Sequence, residues 1–120
     1  MLSQDCPIGE EEDKLDLKIV DFGIYGNNRE TNVEKSNAGS LRFMAPEILI
    51  GRTESSPKID IYSLGVILYA LLLGDYPFRG GNNKDNLRKV ILEKEILLTK
   101  ACGLSKNCRE LIMGMLNKDP

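Results

Sequence analysis

The chain has no histidine and only three cysteines. Without histidine it holds no Ser-His-Asp or Cys-His nucleophile system of its own. Mixed Cys/His zinc sites are excluded for the same reason. Cys6, Cys102 and Cys108 are odd in number and match no zinc spacing, so they read as free thiols of an intracellular protein. An excess of one charge is also missing, since 16 basic residues face 18 acidic ones. That balance gives no electrostatic case for nucleic acid or an anionic membrane as a partner. Long apolar runs are absent. The densest, over 64–73, falls well short of the roughly 18 residues that span a bilayer. The polar, acidic first residues carry no secretory signal pattern. The expected compartment is the cytoplasm, with the nucleus as the other candidate.

What is present fits one domain or a fragment of one. The 120 residues are 42% apolar, enough for a modest core. Residues 5–13 are acidic and read as a solvated loop, because clustered like charges repel. Residues 15–19 alternate strictly between apolar and polar, the pattern of a half-buried strand. The stretch 24–37 is polar and without period, and so is expected to be a loop. Pro46 suits the first turn of a short helix over 45–49. Residues 60–73 are apolar on nearly every face, which predicts a helix buried all round, with Gly74 as its C-terminal cap. Residues 75–83 form a turn-rich loop. Residues 85–94 predict an amphipathic helix with Leu87, Val90 and Ile91 on one face. A last helix is expected to start at an N-capping Ser105 and to bury a stripe of Cys108, Leu111, Ile112, Met115 and Leu116. A lone strand is not stable by itself, so the N-terminal strand calls for partners that this chain does not obviously supply.

The chemistry-bearing residues begin at Asp21-Phe22-Gly23, directly after the strand. A carboxylate there, followed by a flexible glycine, suits a cation such as Mg²⁺, which takes few carboxylates plus phosphate oxygens and water. Taken alone, such a tripeptide is more often a plain turn. It is followed by Gly39-Ser40-Leu41-Arg42-Phe43-Met44, then Ala45-Pro46-Glu47, then Asp60-Ile61-Tyr62-Ser63-Leu64-Gly65, then Tyr76-Pro77-Phe78, and finally Leu116-Asn117-Lys118-Asp119-Pro120.

In this order and spacing the motifs resemble a eukaryotic protein kinase over about residues 15–120. The resemblance implies a mainly α fold: a fragment of the C-terminal lobe with one or two strands, an activation segment over 24–44 and about four helices. It implies ATP and Mg²⁺ as cofactors and a protein substrate as partner. Asp21 matches the metal-binding aspartate and Phe22 the aromatic whose packing separates active from inactive states, with Gly23 freeing the turn. Gly39 and Ser40 match the substrate-docking strip. Ser36 and Thr31 lie where activation loops are phosphorylated. The alternative for both is a solvated hydroxyl. Glu47 and Asp60 match structural positions. The family pairs the glutamate with an arginine shortly after Asp-Pro, and removing one partner of such a buried pair costs about 3–5 kcal/mol. The aspartate can anchor backbone N–H groups from a helix N-terminus. Tyr62 stands where the family usually has tryptophan. The strip is closer to that of serine/threonine kinases than of tyrosine kinases, and 65–74 resembles the calcium/calmodulin-dependent group.

Other family parts find no match in the chain: the Gly-rich loop, the phosphate-pairing lysine, and the His-Arg-Asp loop with its asparagine. The expectation is therefore a partial domain of an active serine/threonine kinase, inactive and marginally stable as residues 1–120 alone. The alternative is a non-catalytic, kinase-derived interaction module or pseudokinase fragment.

Overall fold

A computed structural model describes residues 37–52 and 56–118, with 18 and 20. The acidic loop, the Asp21-Phe22-Gly23 motif, Thr31 and Ser36 lie outside the described residues. So does the expected strand, apart from Lys18, which is exposed and in no regular element.

The described chain is helical. Helix α1 (Ala38–Leu41) is one turn, capped by Asn37, whose side-chain oxygen accepts from the Ser40 N–H at 2.9 Å. Helix α2 (Pro46–Leu49) opens on proline, which has no N–H to leave unpaired in a first turn. Helix α3 (Lys58–Leu73) starts two residues before the expected position and ends at Gly74, whose φ of 71° is the left-handed cap that glycine takes without strain. Helix α4 (Lys84–Glu93) is capped by Asn83, which accepts from the Asn86 N–H at 2.9 Å. A 3₁₀ turn (Lys100–Cys102), absent from the sequence reading, precedes helix α5 (Lys106–Met115). Ser105 caps α5 as expected, accepting from the Cys108 N–H at 3.3 Å.

Packing follows the apolar faces. Helix α3 lies against α5, while α1 and α2 lie against α4. The core gathers Leu41, Leu49, Val66, Phe78, Ile91 and Ile112. Phe78 closes it from the α3–α4 loop, and the Lys118 ammonium stands 5.7 Å over its ring. Exposed ion pairs such as Lys106–Glu110 at 3.6 Å add little.

Two burial expectations are corrected. Helix α3 is not buried all round. Tyr62, Gly65 and Val66 are buried, but Ile61 is 48%, Leu64 52% and Leu71 78% exposed. With 3.6 residues per turn, positions 61, 64, 67, 71 and 72 share one side of the helix, and α5 covers the opposite side. The apolar composition of α3 thus covers two faces, of which the described residues cover one. In α5, Ile112 and the following Leu116 are buried, but Leu111 is 56% exposed, because it points away from α3.

The α3–α5 contact depends on Gly65. A Cβ there would stand 2.8 Å from Met115 Cβ and 3.1 Å from Leu116 Cδ2. Alanine improves intrinsic helix propensity by up to about 1 kcal/mol, but forcing a methyl group into a packed core costs about 1–3 kcal/mol. Gly65→Ala is therefore expected to destabilise the protein by about 1–2 kcal/mol in denaturant melts. Gly114→Ala, where a Cβ meets nothing within 4 Å, is expected to stabilise it by about 0.5–1 kcal/mol. Equal effects of the two would disprove close α3–α5 packing.

Candidate functional site

The described part of the candidate site is the strip 37–47, held between α3 beneath it and the α3–α4 loop beside it. Gly39 is exposed and Ser40 half-buried, both within α1. The one-turn helix arises because the Asn37 side chain occupies the Ser40 N–H, so the strip begins on a fixed cap rather than as open loop. The activation-segment expectation placed no helix here.

Ser63, in the second turn of α3, donates from its hydroxyl to the Phe43 carbonyl at 2.8 Å and shares that proton with the Ile59 carbonyl at 3.1 Å. The first contact fastens the strip to α3. The second is a local back-bond within the helix. Arg42 reaches sideways. Its guanidinium donates to the Phe78 carbonyl at 3.4 Å and the Gly81 carbonyl at 3.2 Å, and lies 4.9 Å from the centre of the Tyr76 ring. Tyr76 in turn meets the Phe43 ring edge-on, with centroids 5.9 Å apart and planes at 81°.

The structural positions separate. Glu47 is half-buried in the first turn of α2, where a carboxylate favours the helix dipole. Asp60 is exposed in the first turn of α3. The two do not meet in any described contact. Asp21, Phe22, Gly23, Thr31 and Ser36 lie outside the described residues, so the strip is not related to them here. Among the described residues no group of three or more His, Cys, Asp or Glu gathers as a metal site, and no helix is long and apolar enough to cross a membrane. Sequence reasoning missed Asn37, Arg42, Ser63 and Tyr76. Asn37 had a readable signal, since Asn is among the preferred N-cap residues. The others act through contacts 20 to 39 positions apart in the chain, which no local period reveals.

Tyr62 carries the main electrostatic perturbation. It is 2% exposed, and its hydroxyl has no hydrogen-bond partner among the described residues. Burial pushes its pKa far above the ordinary tyrosine value, and the nearby Glu47 charge pushes it the same way.

Comparison with known proteins gives a consistent picture. Residues 8–120 match the family model described as "Protein kinase domain". The chain is 36% identical over 104 residues to the human SNF-related serine/threonine-protein kinase, covering 87% of this chain and 13% of that protein. It is 39% identical over 109 residues to the rye (Secale cereale) carbon catabolite-derepressing protein kinase, covering 91% of this chain and 21% of that protein. Among solved structures it is similar to the twitchin kinase region from C. elegans, at 30% identity and a TM-score of 0.60 over 70% of this chain and 15% of that one. The chain thus spans about one-eighth to one-fifth of the length of these curated relatives.

The Tyr62 environment sets a pH test. A phenol with a raised folded pKa keeps its proton in the native state while the unfolded chain loses it above roughly pH 10. Stability is therefore full below that value and falls as pH rises through and beyond it. Tyr62→Phe is expected to remove this alkaline component and, by deleting an unpartnered buried hydroxyl, to leave stability at pH 7 unchanged or raised by about 1 kcal/mol. A Tyr62→Phe variant losing more than about 1 kcal/mol at pH 7 in denaturant titrations would show that the hydroxyl is bonded after all.

Proposed function

Because the chain belongs to the protein kinase domain family, we propose that the protein carrying it transfers the γ-phosphate of ATP to serine and threonine hydroxyls of protein substrates. The observation that carries this reading is the family match over 8–120, in which the Asp-Phe-Gly, Ala-Pro-Glu and Asp-Pro motifs follow in order. The printed names of the human and rye relatives are those of protein kinases, and the Gly39-Ser40 strip favours serine/threonine over tyrosine substrates.

In this reading Asp21 is the metal ligand. A single carboxylate suits Mg²⁺, which keeps most of its ligands as water and phosphate oxygens. The bound Mg–ATP supplies the phosphoryl group and neutralises charge developing on it. By the family resemblance Phe22 would be the aromatic whose packing separates active from inactive states and Gly23 the residue that frees the turn. Gly39 and Ser40 present backbone and hydroxyl to the substrate segment, on the base formed by Asn37 and Ser63. Ser36 and Thr31 are the proposed phosphorylation sites, where a phosphate would order the segment through basic side chains. The cytoplasm is the proposed compartment.

The test is phosphate transfer by the purified full-length protein to peptides that differ only in a Ser, Thr or Tyr acceptor. Transfer to Ser and Thr, lost in Asp21→Asn, is the expected result. Transfer confined to Tyr, or full activity in Asp21→Asn, would refute the assignment.

A further inference from the structure

Arg42 connects two elements that the sequence keeps far apart. Its backbone belongs to the middle of the candidate strip. Its guanidinium ends on the α3–α4 loop, through the Phe78 and Gly81 carbonyls and the Tyr76 ring. That loop is itself fixed. Gly74 caps α3 at one end and Asn83 caps α4 at the other. Between them Gly80 presses so closely on α4 that a Cβ would stand 2.3 Å from Leu87 Cα, and the Asn86 side chain donates to the Gly80 carbonyl at 3.1 Å. Phe78 and Pro77 are buried. The guanidinium therefore reaches from a short strip, exposed only at Asn37 and Gly39, to a rigid anchor.

The three contacts need arginine. Two carbonyls are met by separate nitrogens of one planar group, while its face lies over an aromatic ring. A lysine ammonium keeps the charge but is a compact point donor that cannot hold this fork and stack together. The same ring packs edge-on against Phe43, the residue whose carbonyl Ser63 holds from below. Residues 42 and 43 are thus pinned from two directions, one residue beyond Gly39 and Ser40.

We propose that Arg42 is a positioning residue for the protein substrate: it locks the Gly39–Ser40 strip to the α3–α4 loop and so sets where the substrate segment lies. This rests on the kinase reading above. It assigns Arg42 no contact with the nucleotide, because both of its described hydrogen bonds end on the loop. A displacement of about 1 Å in a positioning element can cost on the order of 100-fold in rate, so loss of the clamp has a measurable effect without unfolding.

The experiment compares the full-length protein with Arg42→Lys and Arg42→Ala in two measurements: steady-state kinetics at varied peptide and varied ATP, and backbone hydrogen exchange over 39–44. Both variants are expected to lose about tenfold or more in kcat/KM for peptide, with KM for ATP unchanged, and lysine is expected not to rescue. Exchange over 39–44 is expected to quicken in both while that of α5 stays as in the wild type. A general structural role would weaken ATP and peptide parameters alike and speed exchange in α5, and that result overturns the proposal. So does Arg42→Lys behaving as wild type. If the wild-type protein transfers no phosphate, the kinase reading fails on its own. Exchange over 39–44 then still decides the clamp, faster in the variants if it exists and unchanged if it does not.

Discussion

Helix α3 meets α5 at Gly65 with no room for a side chain between them, and the rest of the described fold is arranged around that approach. Close contact there brings Met115 and Leu116 against α3 and buries Tyr62, Val66 and Ile112 together. The same helix carries Ser63, which holds the Phe43 carbonyl. A shift of α3 would therefore move the candidate strip as well as open the core. Close packing makes such an interface respond to a single added methyl group, which is why one glycine has consequences at both ends of α3.

The strip illustrates how a short segment with little regular structure is given a defined shape. It buries Leu41, Met44, Ala45 and Pro46, and packs Ala38 and Phe43 against the core. Directional bonds add to that burial: the Asn37 cap, the Ser63 hydroxyl and the Arg42 fork. Each is worth only about 1 kcal/mol net. Together they over-determine the backbone, because they act from the start, from below and from the side.

Much of this architecture was legible in the sequence, for identifiable reasons. The caps at Ser105 and Gly74 and the proline opening α2 are local chemistry, and local chemistry can be read from neighbouring residues. The amphipathic pattern of α4 correctly chose Leu87 and Ile91 for the core. Reading α3 as buried on every face failed because composition reports which surfaces are apolar, not which neighbours are there to cover them. Leu111 misled for a related reason: it lies at the edge of a correct stripe, just beyond the reach of α3. The motif order identified the family, whereas Arg42 and Tyr76 were invisible because their partners lie on a separate loop. Asp21, Phe22 and Gly23 were legible only as a motif, since they lie outside the described residues.

The two-sided apolar character of α3 has a consequence in time as well as in space. The side that α5 covers is closed only once Leu116 has been made, about 50 residues after Gly65. At a synthesis rate of about 5–20 residues per second, that leaves the helix uncovered on that side for about 3–10 s. Throughout this interval Ile61, Leu64 and Leu71 also stand bare on the other side unless residues made earlier already shield them. A nascent chain in that condition is a substrate for chaperones before it is anything else, so the order in which the two faces are covered bears on how much of the protein a cell can accumulate.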